Sequence, residues 1–246
     1  MKVIITETAE DMSSKAADLF AERIRTKPDI VLGLATGGTP ESMYALLAEK
    51  CENDGLDFSH VATFNLDEYA GIAPDHDQSY RYFMNEKLFD NLNIDKANTH
   101  VLNGLAEDLE KECREFEEKI KEAGGIDLQL LGIGNNGHIA FNEPGSPSNS
   151  RTRVVDLTES TIKANARFFE KESDVPRQAL SMGIGTIKEA AEILLIASGS
   201  GKADAVKAAL EGPVSEDMPA SLVRDHDNIT FIFDSEAAAK LEEKHN

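Results

Sequence analysis

Leu128-Gln129-Leu130-Leu131-Gly132-Ile133-Gly134-Asn135-Asn136-Gly137-His138-Ile139-Ala140-Phe141-Asn142-Glu143-Pro144-Gly145 is the stretch that decides how this chain folds. Residues 128–133 form a short apolar run that ends in glycines and reads as a buried strand. A neutral-range acid/base, His138, and a carboxylate, Glu143, follow at once. In an open α/β sheet, active sites lie just outside the carboxyl ends of the strands. Histidine titrates near neutrality, and a nearby carboxylate can fix its tautomer and raise its basicity.

The same stretch contains Gly132-Ile133-Gly134-Asn135-Asn136-Gly137, a literal match to the dinucleotide fingerprint, with Asp156 downstream at about the right distance. That fingerprint requires a helix to open immediately. Here the chain runs into Asn142-Glu143-Pro144-Gly145, which cannot sustain one. The glycines read instead as tight turns beside a ligand. The segment 142–150, with two prolines and no periodicity, reads as a loop or an ordered active-site turn.

Further apolar runs at 3–6, 30–35, 61–66, 193–197 and 229–233 read as strands. Helical patterns lie between them. Leu105, Leu109, Cys113, Phe116 and Ile120 share one face, as do Met12, Ala16, Leu19 and Phe20. Strand and helix in alternation predict an α/β fold, a doubly wound, mostly parallel sheet with helices on both faces. We expect one catalytic domain over 1–246, with a charged excursion at 158–176 that reads as a lid.

Composition narrows the function. The 246 residues carry 25 Lys+Arg against 45 Asp+Glu, a net charge of -20. Such a surface repels nucleic acid and anionic membranes, so neither is expected as a partner. An anionic substrate would need a locally positive pocket. Cys51 and Cys113 have no metal-ligand spacing and read as free thiols in a reducing cytosol. Residues 1–6 turn polar too early for a signal peptide, and no apolar run is long enough to span a bilayer. A cytoplasmic protein is expected.

Three more motifs sit where strands should end. In Leu34-Ala35-Thr36-Gly37-Gly38-Thr39-Pro40, a strand runs into a Gly-Gly turn and a helix. With Thr39 as N-cap and Pro40 at the first helical position, the turn reads as a phosphate or carboxylate cradle. Ile196-Ala197-Ser198-Gly199-Ser200-Gly201-Lys202 looks like a nucleotide P-loop but fails as one. Ile196 stands where the first glycine belongs, and Ala203 replaces the metal-binding hydroxyl. Lys202 at a helix start opposes the helix dipole, which makes sense if an anion sits there. In Phe64-Asn65-Leu66-Asp67-Glu68-Tyr69, two acids close a strand, and only one should enter the site. Arg167, among apolar neighbours, reads alone as a helix-surface arginine. The remaining histidines have no metal spacing.

Taken together, TGGTP, FNLDEY, GIGNNGHIAFNEPG, SRTR, ANARFF and GSGKA resemble the glucosamine-6-phosphate deaminase family, in order and over most of the chain. The resemblance implies a doubly wound α/β fold and conversion of glucosamine 6-phosphate and water to fructose 6-phosphate and ammonia. It implies a sugar phosphate as substrate and no metal or organic cofactor. Carried over residue by residue, His138 would open the pyranose ring and Glu143 would orient it. Asp67 would move the C2 proton to C1 through an enolamine. Gly37, Gly38, Thr39, Arg167 and Lys202 would hold the 6-phosphate. Asn136 departs from the aspartate of many members; it keeps the capacity to orient His138 but not the charge. Arg153 is present, yet Val155 stands where the effector site of hexameric members has a second basic residue. A monomer or low-order homo-oligomer is therefore expected.

The rivals are a 6-phosphogluconolactonase-like hydrolase, disfavoured by Ile139 and the Asn142-Glu143-Pro144 segment, and a non-catalytic sugar-phosphate sensor. A sensor would need the phosphate clamp but not Asp67, His138 and Glu143.

Overall fold

The structure, a computed structural model, describes residues 1–159, 162, 169, 171 and 175–242. Its main sheet has seven parallel strands: β1 (Lys2–Thr6), β2 (Val31–Leu34), β3 (Ala62–Asn65), β5 (Thr99–His100), β6 (Leu128–Leu131), β9 (Glu192–Ala197) and β10 (Ile229–Asp234). They lie in the order β1-β10-β9-β6-β2-β3-β5. The expected strands are all present. The two-residue β5 carried no apolar run to announce it.

Among the described residues the helices include α1 (Ala9–Thr26), α2 (Gly38–Asn53), α3 (Tyr80–Lys87), α4 (Leu109–Glu122), α5 (Ile184–Lys188) and α6 (Ala203–Glu211). Strands left of β6 are reached by connections running one way across the sheet, and strands right of β2 by connections running the other way. Right-handed crossovers then put α1, α2 and α3 on one face and α4 and α6 on the other. α1 packs on α2, and α2 on α3, as that requires. The direction of travel reverses between β2 and β6, so the ligand crevice opens above the carboxyl ends of those two neighbours.

Burial explains why these segments are strands. Every residue of β2, β6, β9 and β10 is buried, as helices on both faces demand. Ile193, Leu194, Leu195 and Ile196 are each at most 1% exposed. Each such side chain stabilises the fold by about 1.5–3 kcal/mol relative to exposure.

Three sequence expectations are corrected. The helix expected from Leu105 begins at Leu109; Leu105 is exposed, and Asp108 caps α4 by accepting from the Lys111 N–H at 2.9 Å. Thr39 is not the N-cap of α2. Gly37 is, with φ of 100°, and no side chain caps the helix. Pro40 is the third helical residue, which it tolerates because the first N–H groups of a helix have no internal partner. Finally, the third strand does not run to residue 66. The chain leaves β3 after Asn65 and starts β4 (Asp67–Tyr69) in a second, antiparallel sheet, β4-β8-β7, with β8 (Gln178–Ser181) and β7 (Arg153–Asp156).

Most of the 158–176 excursion, Arg167 included, lies outside the described residues. Phe169 is described, and its ring meets Tyr69 edge-on at 6.1 Å. Both cysteines are free. Among the described residues, no helix is long and apolar enough to cross a membrane, and no group of three His, Cys, Asp or Glu residues could hold a metal.

Candidate active site

Four adjacent strands, β9, β6, β2 and β3, carry the four motifs at their carboxyl ends. Neighbouring strands lie about 4.8 Å apart, so the motifs span roughly 14 Å along one edge. They straddle the switch between β2 and β6.

The loop after β6 turns at Gly137, which has φ of 85°, and brings His138 back over Gly134. A Cβ on Gly134 would sit 2.2 Å from His138 Cε1. The imidazole therefore packs against that backbone, and only glycine fits beneath it. His138 Nδ1 lies 2.7 Å from Asn136 Oδ1, and Asn136 Nδ2 donates to Glu143 Oε2 at 2.6 Å. A carboxylate only accepts, so the amide nitrogen must face Glu143 and the amide oxygen must face His138. Nδ1 then carries the proton, and Nε2 keeps its lone pair. Glu143 Oε1 lies 3.7 Å from Nδ1. Burial lowers the His138 pKa below the usual histidine range; Glu143 opposes this and Lys202 reinforces it.

The 142–145 segment is an ordered turn rather than loose coil. Asn142 is fully buried, and its Nδ2 donates to Ile139 O and Met182 O. Arg153 Nη1 donates to Asn142 Oδ1 at 2.9 Å, so this half-buried guanidinium braces the loop that follows His138. Ala140 holds φ of 51°, the one non-glycine left-handed residue among those described. Strain of that kind persists where surrounding contacts over-determine the backbone.

Asp67 and Glu68 divide as expected. Glu68 turns away and is consumed by the start of α3: it accepts from the backbone N–H groups of Tyr69, Tyr80 and Arg81 at 2.8–3.0 Å. Asp67 is 7% exposed, and no hydrogen bond reaches its carboxyl among the described residues. Burial, with the Glu68 charge adding to it, pushes its pKa up to about 8.

The glycine turn before α2 and Lys202 lie on the same strand edge. The first residues of α2 leave open space at Gly37 and Gly38, where a Cβ would meet nothing within 4 Å. Lys202 is half-buried and forms no ion pair among the described residues, and burial lowers its pKa. Its effect on His138 places the two groups in one field. The structure thus brings together Asp67, Asn136, His138 and Glu143 with Gly37, Gly38, Thr39 and Lys202 on one edge. A separate cleft of about 500 Å³ beside β1 and α1 holds Arg23 and Glu192, a bidentate pair that neutralises itself.

A family model described as glucosamine-6-phosphate isomerases/6-phosphogluconolactonase matches residues 5–232. The chain belongs to this family. Curated relatives named glucosamine-6-phosphate deaminase match it end to end. The protein of Thermoanaerobacter sp. (strain X514) is 53% identical over 98% of this chain and 95% of its own length. That of Clostridium perfringens (strain SM101 / Type A) is 54% identical over 98% and 100%. A solved structure described as a monomeric glucosamine-6-phosphate deaminase superposes with a TM-score of 0.95 at 48% identity, covering 98% of this chain and 100% of the other. The 6-phosphogluconolactonase of Trypanosoma brucei, with a TM-score of 0.76 at 20% identity over 98% of each chain, shares the fold.

Within this family frame, several residues that hold the site went unread in the sequence. Ser181 pairs with Asp67 across the antiparallel ladder, and its Oγ accepts from Phe141 N at 3.1 Å. Met182 N donates to Leu66 O at 2.7 Å, while its carbonyl accepts from Asn142. Two consecutive residues thus tie the Asp67 limb to the His138 limb. Asp234, at the end of β10, accepts from Gly199 N with both oxygens, at 3.0 and 2.9 Å, and so pins the loop that presents Lys202. Polar residues flanking an apolar run were the only signal for either device.

Proposed function

We propose that this protein is a glucosamine-6-phosphate deaminase, converting glucosamine 6-phosphate and water to fructose 6-phosphate and ammonia. The observation that carries this reading is the pairing of two different bases. A tautomer-locked imidazole shares one sheet edge with a desolvated carboxyl that accepts no hydrogen bond among the described residues. Hydrolysis of a lactone needs the first but has no use for the second; moving a proton between carbons needs a carboxylate held over one face of the open chain. Full-length relatives that carry the deaminase name support the same choice over the lactonase.

In this reading, Gly37, Gly38 and Thr39 present helix-start N–H groups to the 6-phosphate, and Lys202 supplies the charge. Arg167, which the family resemblance assigns to the phosphate, adds a second cation. His138 Nε2 takes the O1 proton and returns one to O5 as the C1–O5 bond breaks, leaving the aldehyde. Asp67, in its ionised form, removes the C2 proton as O1 gains one from the substrate's ammonium group, giving the enolamine; Asp67 then redelivers its proton to C1, giving the C2 iminium. Water adds to C2, the C–N bond breaks and ammonia leaves. The carbon skeleton stays intact, so no redox partner is needed. Asn136 keeps Nε2 basic at each stage.

The protein acts in the cytoplasm as a monomer, in line with the monomeric relative. Arg153 is engaged by Asn142, and position 155 is a valine, so we assign no effector response. A coupled assay for ammonia release from glucosamine 6-phosphate tests the reading. Turnover with ammonia is expected; no ammonia, with hydrolysis of 6-phosphogluconolactone instead, sinks it.

A further inference from the structure

Tyr44 has no place in the chemistry above, yet it is fully buried on α2 and its hydroxyl donates to the Ala35 carbonyl at 2.5 Å. Ala35 is the last residue before the Thr36-Gly37-Gly38 turn. None of the described peptide bonds is cis, and in a trans peptide the N–H points opposite to the C=O. An Ala35 carbonyl held inward by Tyr44 therefore turns the Thr36 N–H outward, to the edge where the substrate phosphate is placed. Among the described residues, nothing accepts from the Thr36 or Gly37 N–H. The reverse peptide orientation would aim a carbonyl oxygen at the phosphate.

We propose that Tyr44 is a positioning residue for phosphate binding, a lock on the Ala35–Thr36 peptide that keeps one N–H donor facing the ligand. The need for such a lock follows from the turn's composition. Gly37 and Gly38 allow close approach of an anion, and they also leave the adjoining backbone free to rotate. Burial raises the Tyr44 pKa, so the phenol stays a donor at every working pH. Without it, the Ala35 carbonyl, itself buried, loses its partner, and a buried unpaired carbonyl is the kind of group that a backbone rearranges to relieve.

The proposal rests on reading this turn as the phosphate cradle, and the experiment separates the two. Calorimetry on Tyr44→Phe should show fructose 6-phosphate binding weakened about 5- to 30-fold, the range expected for losing one aligned donor in a buried setting. KM for glucosamine 6-phosphate should rise in step, with kcat within about twofold because the bases are untouched. Affinity within twofold of wild type in a folded Tyr44→Phe protein overturns the lock. Should that variant fail to fold, the wild type decides: amide NMR during inorganic phosphate titration should move the Thr36 N–H downfield. A Thr36 signal unmoved at saturation overturns the lock while leaving the cradle in place. Wild type that binds neither ligand overturns both.

Discussion

Asp67→Asn should make this protein more stable and chemically inert. Asp67 is buried and unpaired among the described residues, and burial pushes its pKa up from 3.8, to about 8 at the ceiling. Between those values the folded state keeps a proton that the unfolded state has lost. Stability therefore falls as pH rises through that window, by about 1.4 kcal/mol per unit. From 3.8 to a working pH near 7.5 the ceiling is about 5 kcal/mol. Buried sites relax and admit water, so about 2 kcal/mol is the realistic cost. Asparagine is nearly isosteric and never charges, so it removes that cost. For a chain of this size, 2 kcal/mol raises Tm by about 4–8 °C. The assay is a series of thermal melts of both proteins from about pH 4 to about pH 8. At about 1.4 kcal/mol per unit, 2 kcal/mol confines the change to about 1.5 units above 3.8, so the gap should be level down to about pH 6, then shrink and close near pH 4. Solvent hydrogen exchange at the substrate carbon should vanish in the variant, while fructose 6-phosphate binding stays within about threefold. A variant that melts below wild type at pH 7.5, or a gap independent of pH, would refute the desolvated-carboxyl reasoning.

Two further outcomes concern the histidine loop. Asn136→Asp places a carboxylate where Nδ2 now stands 2.6 Å from Glu143. The added negative charge raises the His138 pKa and moves the acid limb of the pH–kcat curve up by about one unit; an unmoved limb would break the link between residues 136 and 138. Gly134→Ala drives a methyl group into the imidazole. It should cut kcat about 100-fold or more, since a displacement near 1 Å is enough for that, while phosphate affinity is retained; near-normal kcat would mean the ring is not held against that backbone during turnover.

The α/β alternation and the parallel sheet were legible because buried parallel strands are unbroken apolar runs, such as those around Leu130 and Leu195. His138, Glu143 and Lys202 were legible because glycine turns at strand ends mark close approach. Asp67 was visible by position, but its weight came from burial, which depends on contacts distant in sequence. The three-stranded sheet was not legible. Its strands are four residues or fewer, and β7 carries no buried residue. It is defined by pairing, not by pattern. The start of α2 was misplaced because a glycine N-cap offers no side-chain signal, and the bare helix start it leaves is what a phosphate requires.

The placement of Lys202 bears on His138 as well as on phosphate. In the free protein the uncompensated ammonium helps hold the imidazole pKa below its usual range. A base kept weak in this way would be slow to take the O1 proton. A phosphate dianion at Lys202 cancels the ammonium charge, and the suppression it causes goes with it. Substrate binding would then raise the basicity of His138 only when the phosphorylated end is seated. Burial is the larger cause of the depression and stays, so the gain is a fraction of the shift. Titration of His138 by ¹⁵N NMR, with and without saturating inorganic phosphate, measures it directly. An upward pKa shift on binding is expected in wild type, and none in Lys202→Met. An equal shift in both would mean that phosphate acts on the imidazole without Lys202.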